Sequence, residues 1–243
     1  MNNIKNSGII LLITLSFLYF LFFINPMPQD LSYHQFADQI NHFTINHFHN
    51  VISNLCFIII GLYGLKITLA NKEKSLSWYL FIISIILVGP GSAYYHFHPN
   101  NETLFWDRLP MTLGFISLSS YVLIDIFKIK KELLFISITF LIGMICLMYW
   151  VKFDDLRFYL WVQLTPIVLL LYIALFYQTE RLKKKYLFCA VVLYVLAKMT
   201  EKYDATIFER LHYSGHSLKH LLAGVGVYSL ILMYKQRTLK LNP

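Results

Sequence analysis

The stretch SWYLFIISIILVGPGSAYYH, residues 77–96, decides the fold. Its 20 residues hold no Asp, Glu, Lys or Arg, and about 20 apolar residues are what a helix needs to cross roughly 30 Å of hydrocarbon. The same window finds seven further candidates, near 8–24, 50–70, 110–127, 133–151, 158–177, 186–200 and 213–234. Polar segments such as Asn71 to Ser75, Lys128 to Glu132 and Arg181 to Lys185 separate them. No span alternates apolar and polar residues, which argues against a membrane barrel. The segment 186–200 is the weakest, because Lys198 lies near its end and Tyr194 and Tyr203 resemble interface anchors. The fold class is all-α: a polytopic transmembrane helix bundle.

Composition agrees. Of 243 residues, 57% are hydrophobic and 14% charged, with a mean hydropathy of +0.56, whereas an ordinary soluble domain carries about 25% charged residues. A disordered chain is excluded. So is a disulfide scaffold, since Cys56, Cys146 and Cys189 all sit inside apolar runs. The first span reads as an uncleaved helix rather than a signal peptide, because no small-residue cleavage site precedes Asn25 to Pro28.

The formal charge of +8 acts as an orientation device. With the N-terminus on the inner side of eight crossings, Lys5, Lys66 to Lys74, Lys128 to Lys131, Arg181 to Lys185 and Lys235 to Lys240 all fall inside. That is the positive-inside pattern, and such a rim meets anionic lipid headgroups. No contiguous basic patch lies in a soluble domain, so no nucleic-acid partner is expected. Both termini are then cytoplasmic. All nine histidines fall on the outer half, periplasmic or lumenal.

Three span ends on that half carry ionisable residues. Ser92 and His96 are four apart at the end of the third span, and His216 and His220 are four apart at the start of the last. That spacing puts each pair on one helical face. Asp107 stands at the entry of the fourth span, in Trp106-Asp107-Arg108-Leu109-Pro110. Ionisable groups in membrane helices are costly and face the bundle interior with a partner. Three imidazoles with a carboxylate match a catalytic zinc site, which keeps a fourth position open for water. Haem ligation and plain interfacial polarity remain open on spacing alone. Asp107 also suits a helix N-cap, with Pro110 in the first turn, and Ser92 a small packing residue. Gly89-Pro90-Gly91 is expected to kink the third helix.

A second polar cluster runs through Asp38, Asn41, His42, Asn46, His47 and His49 to Asn50, Ser53 and Asn54. The last three share a helical face, and helix–helix glue is the simpler reading of them.

Taken in order, Asn50-Val51-Ile52-Ser53-Asn54, Gly91-Ser92-Ala93-Tyr94-Tyr95-His96, Asp107-Arg108-Leu109-Pro110-Met111 and Gly215-His216-Ser217-Leu218-Lys219-His220 resemble the alkaline ceramidase family. That family lies in a wider seven-helix superfamily with the adiponectin-type receptors. The resemblance covers about residues 30–234 and implies a seven-helix core plus one extra N-terminal helix. The expected organisation is 1–28 for that helix, 29–234 for the ceramidase-like domain and 235–243 for a short basic tail.

The resemblance also implies a zinc-dependent amidase that cleaves the N-acyl bond of ceramide or a related membrane lipid. His96, His216 and His220 would bind zinc, Asp107 would hold or deprotonate the attacking water, and Ser92 would bond near the substrate carbonyl. One departure concerns calcium. Eukaryotic members bind it through carboxylates before the first core helix, whereas this chain keeps Asp38 but has Asn41 and His47 where glutamates are expected. Calcium prefers several charged oxygens, so calcium dependence is not carried over. Rival classes are a receptor-like or transport protein with structural zinc, and a haem-carrying electron-transfer bundle.

Overall fold

The computed structural model describes residues 2–71, 74–177 and 182–239, so Lys72, Arg181 and Lys240 of the basic rim lie outside the described residues. The helices are α1 (Asn2–Phe22), α2 (Phe48–Ser53), α3 (Leu55–Ala70), α4 (Leu76–Phe97), α5 (Asn101–Phe127), α6 (Glu132–Phe153), α7 (Arg157–Phe176), α8 (Lys184–Lys202), α9 (Asp204–Leu211) and α10 (Gly215–Leu239). The chain is an all-α polytopic bundle. Among the described residues, α1, α2 with α3 as one span, α4, α5, α6, α7 and α10 are long and apolar enough to cross a membrane. α8 falls short because Lys184, Lys185, Lys198 and Glu201 lie within 18 residues of it.

Packed pairs run α3–α4–α5–α7–α8–α10 and back to α3, closing a ring; α6 packs across α4, α5 and α7, and α1 packs on the outside of α7. The ring is sealed away from the site by aromatics and short polar ties. Trp78 stacks on Tyr234 at 4.3 Å between ring centroids and donates its indole N–H to Thr68 Oγ1 at 3.0 Å. Glu132 accepts from the Ser77 amide at 2.9 Å and the Ser77 hydroxyl at 2.7 Å, pinning the start of α6 to the start of α4. Such bonds hold helices in lipid, where the hydrophobic effect does not drive them together.

Two boundaries differ from those expected. α5 starts at Asn101, not near 110: Asn100 caps it in a capping box with Thr103, accepting from the Glu102 and Thr103 amides at 2.9 Å each. Asp107 is therefore not an N-cap but sits in the second turn, and the charged pair that resembled a boundary is buried inside the bundle. The second span begins at Phe48 and steps at Asn54 between α2 and α3. α4 stays helical through Pro90.

Candidate functional site

α4 and α5 must approach closely for their functional side chains to meet. Gly91 allows it: a Cβ there would run into the carbonyl oxygen of Trp106, with Pro110 Cγ at 3.3 Å. Gly91→Ala is expected to push the two helices apart at a cost of about 1–3 kcal/mol, the usual penalty of overpacking. A lower midpoint in detergent thermal unfolding, with loss of metal affinity, is the result that checks it.

That contact brings Ser92, 3% exposed, and Asp107, 6% exposed, to the wall of the same cavity. One turn on from Ser92, His96 is fully buried.

The start of α10 brings the other two histidines. Asp204 organises it: Oδ1 accepts from the His216 amide at 3.0 Å and lies 2.7 Å from Ser214 Oγ, while Oδ2 accepts from the Ala37 amide at 3.0 Å. Gly215 must be glycine because a Cβ would meet Thr200 O and Asp204 Cα, the latter at 2.9 Å. One candidate ligand nitrogen from each of His96, His216 and His220 lies within 4.8 Å of the others, and all three side chains are buried. Ring centroids are 4.7 Å apart for His96–His216, 5.0 Å for His96–His220 and 5.2 Å for His216–His220.

The donors fit a metal. Both nitrogens of His96 and Nε2 of His220 are buried with no hydrogen-bond partner, a costly state that a cation relieves. Three imidazoles with one open position are a zinc donor set. A flat macrocycle fits poorly, because Phe36 packs edge-on against His96 at 4.7 Å and His216 at 4.9 Å and caps the cluster.

Ser53 extends this arrangement. Its hydroxyl donates to the Asn50 carbonyl at 3.0 Å and so accepts from His220 Nδ1 at 2.7 Å. The His220 proton is thereby held on Nδ1, and the Nε2 lone pair is left for a metal. Outer partners of this kind are worth about 10- to 100-fold in metal affinity. Ser53→Ala is expected to weaken metal binding at this cluster by that factor, read by competition with a fluorescent chelator, while the helix content is unchanged.

Asp38, Asn50 and Asn54 of the second cluster bond within the loop and between helices. Asp38, fully buried, accepts from the Ile40 amide at 3.2 Å and the Asn50 amide at 2.9 Å. Asn50 Oδ1 takes the Ser217 hydroxyl at 2.7 Å, tying α2 to α10. Asn54 bonds back to the Asn50 carbonyl and does not reach the histidines.

A cavity of about 500 Å³ opens from the site into the ring. Ser92, Asp107 and His220 line its polar end, and its body is apolar, with Phe57, Phe81, Ile85, Leu118, Leu170 and Leu230. The polar end also holds groups that sequence reasoning missed. Glu201 Oε2 accepts from Lys198 at 2.7 Å, and its Oε1 accepts from Lys219 at 2.9 Å and from the Tyr33 hydroxyl at 3.0 Å. Lys219 also donates to His216 Nε2 at 2.6 Å. If His216 held a metal through that nitrogen, Lys219 would give up this contact and retain Glu201 as its partner. Burial, with the Glu201 carboxylate beside it, pushes the Tyr33 phenol well above its ordinary value and keeps it a donor. Lys198, Glu201 and Lys219 are ionisable residues within helices, the signal that marked the histidines. Phe36 comes from a loop, and no local pattern marks it.

The family model described as Ceramidase matches residues 39–242, which takes in α2 to α10 and leaves α1 outside. No curated protein matches the chain.

Proposed function

The chain belongs to the ceramidase family, and from that premise we propose that it is a zinc-dependent amidase that hydrolyses the N-acyl bond of ceramide or a related lipid within the bilayer. One observation carries the reading: a buried three-histidine cluster with unpartnered nitrogens on His96 and His220 meets the polar end of an apolar cavity through His220, beside Asp107.

His96, His216 and His220 are the proposed ligands. Zinc bound there would polarise the amide carbonyl and make the attacking water acidic near neutral pH. Asp107 takes the proton from that water and passes it to the leaving nitrogen as the C–N bond breaks. The water oxygen ends on the acyl carbon, giving a fatty acid, and the amine half leaves as a free amine such as sphingosine. Ser92 bonds near the substrate carbonyl, and Ser53 orients His220. The apolar body of the cavity takes the acyl chain, and Phe36 keeps bulk water from the histidines.

The distribution of Lys and Arg supports cytoplasmic termini, with the site near the outer face. On this reading residues 29–234 form the catalytic unit and α1 is an added membrane helix.

The test is product formation by the purified full-length protein on N-palmitoylsphingosine. Fatty acid and long-chain base should appear in equal amounts, stop on chelation and return with zinc. Zinc binding without turnover of any acyl amide would favour a receptor-like role.

A further inference from the structure

Arg108 is a buried cation without a carboxylate partner. Its residue is 6% exposed. The guanidinium carbon lies 4.1 Å from the Trp150 ring centroid and 4.7 Å from that of Tyr159. Nη2 donates to the neutral Gln29 Oε1 at 2.6 Å, while Nη1 is buried with no hydrogen-bond partner. Among the described residues, no carboxylate lies within ion-pair distance of it. Burying a charge costs free energy unless it is paired and hydrogen-bonded. The aromatic faces offset part of that cost through cation–π contact, and they also hold the guanidinium in place.

This group lines the same cavity as Asp107, to which it is adjacent in the chain, and as His220. Lys198 and Lys219 line that end too, sharing the single carboxylate of Glu201. Two further acids line the cavity: Asp107, which the proposed reaction uses, and Asp30, which is exposed and caps the Ser32 amide at 2.8 Å. Arg108 thus stands in the cavity wall with a donor that no carboxylate takes up.

We infer that Arg108 is a specificity residue that binds a carboxylate on the amine half of the substrate, so that the favoured substrate is an N-acyl amino acid rather than a neutral N-acyl amine. The inference rests on the amidase reading and narrows it. A guanidinium N–H matches a carboxylate oxygen in charge and geometry, and in this cavity the pairing removes the unpartnered donor. The acyl chain lies in the apolar body of the cavity, the amide meets Asp107 and the histidines, and the carboxylate reaches Arg108, with Lys198 and Lys219 behind it.

The test uses the full-length, zinc-loaded protein and two compounds differing only in the amine half: N-palmitoylglycine, which carries a carboxylate, and N-palmitoylethanolamine, which carries a hydroxyl. The wild type should favour the glycine compound in kcat/KM by about 10- to 100-fold, the value of one charge-assisted hydrogen bond. Arg108→Gln should bring the ratio close to one, and Arg108→Lys should restore part of it. A wild-type ratio of one or below overturns the inference whatever the variants do, and so does an unchanged ratio in a folded Arg108→Gln protein. Equilibrium binding of both compounds to zinc-free Asp107→Asn protein separates this from the amidase reading. If zinc-loaded protein hydrolyses neither compound yet the glycine compound binds more tightly through Arg108, the amidase reading falls and the carboxylate subsite stands. Equal binding of the two removes the subsite.

Discussion

Replacing His216 or His220 with alanine is expected to abolish stoichiometric zinc binding and to lower amide turnover by at least about a thousandfold. The two side chains stand one turn apart on α10, buried against His96. Removing either leaves two nitrogens for the ion, too few for the three-ligand set of a catalytic zinc site. The loss in rate reflects the several kcal/mol that a Lewis acid contributes to a developing oxyanion. Elemental analysis beside a fatty-acid release assay reads both effects. The bundle should remain folded, because the α10 start is also held by Asp204, Ser214 and Asn50. Zinc at full stoichiometry in both alanine variants would show that the metal lies elsewhere.

Asp107→Asn should separate chemistry from metal binding. Asparagine keeps the shape of the side chain but cannot take up a proton. A positioned general base contributes about 10²- to 10⁴-fold, so turnover should fall by that factor while zinc stays near one per chain. The loss belongs in kcat rather than in substrate affinity, since on the proposed reading the acyl chain would be held by the apolar cavity wall, built from α3, α4, α5, α7 and α10. A variant as active as the wild type would remove Asp107 from the reaction.

The sequence made the histidines and Ser92 readable because helical spacing is rigid. In a span that must form all its backbone hydrogen bonds internally, a residue four places on lies on the same face, so Ser92–His96 and His216–His220 could be paired before any packing was known. Asp107 was recognised for its charge, but its setting was misread. Trp106-Asp107-Arg108 resembles the polar edge of a span, yet α5 begins five residues before it, at Asn101, and buries both charges. Its true cap, Asn100, follows Pro99 in a stretch with no apolar periodicity.

The cluster of Lys198, Glu201 and Lys219 failed for a related reason. In sequence, Lys198 is only a charge near the end of a weak span and Glu201 and Lys219 carry no motif of their own, whereas the ring geometry of α8 and α10 turns all three towards the cavity. Ser53 is the reverse case. As helix glue it was an unremarkable serine, and only the approach of α10 makes it a partner of His220. Contacts that depend on two distant segments, such as Phe36 over His96 and His216, leave no periodic trace in either one.

The measurement closest to the central claim is a titration of metal-free protein with zinc, following amide hydrolysis at each addition. The rate should rise linearly and reach its plateau at about one zinc per chain, with the His220→Ala variant flat throughout. Hydrolysis that is already maximal without metal, or that is indifferent to zinc up to and beyond one equivalent, would contradict a three-histidine hydrolytic centre.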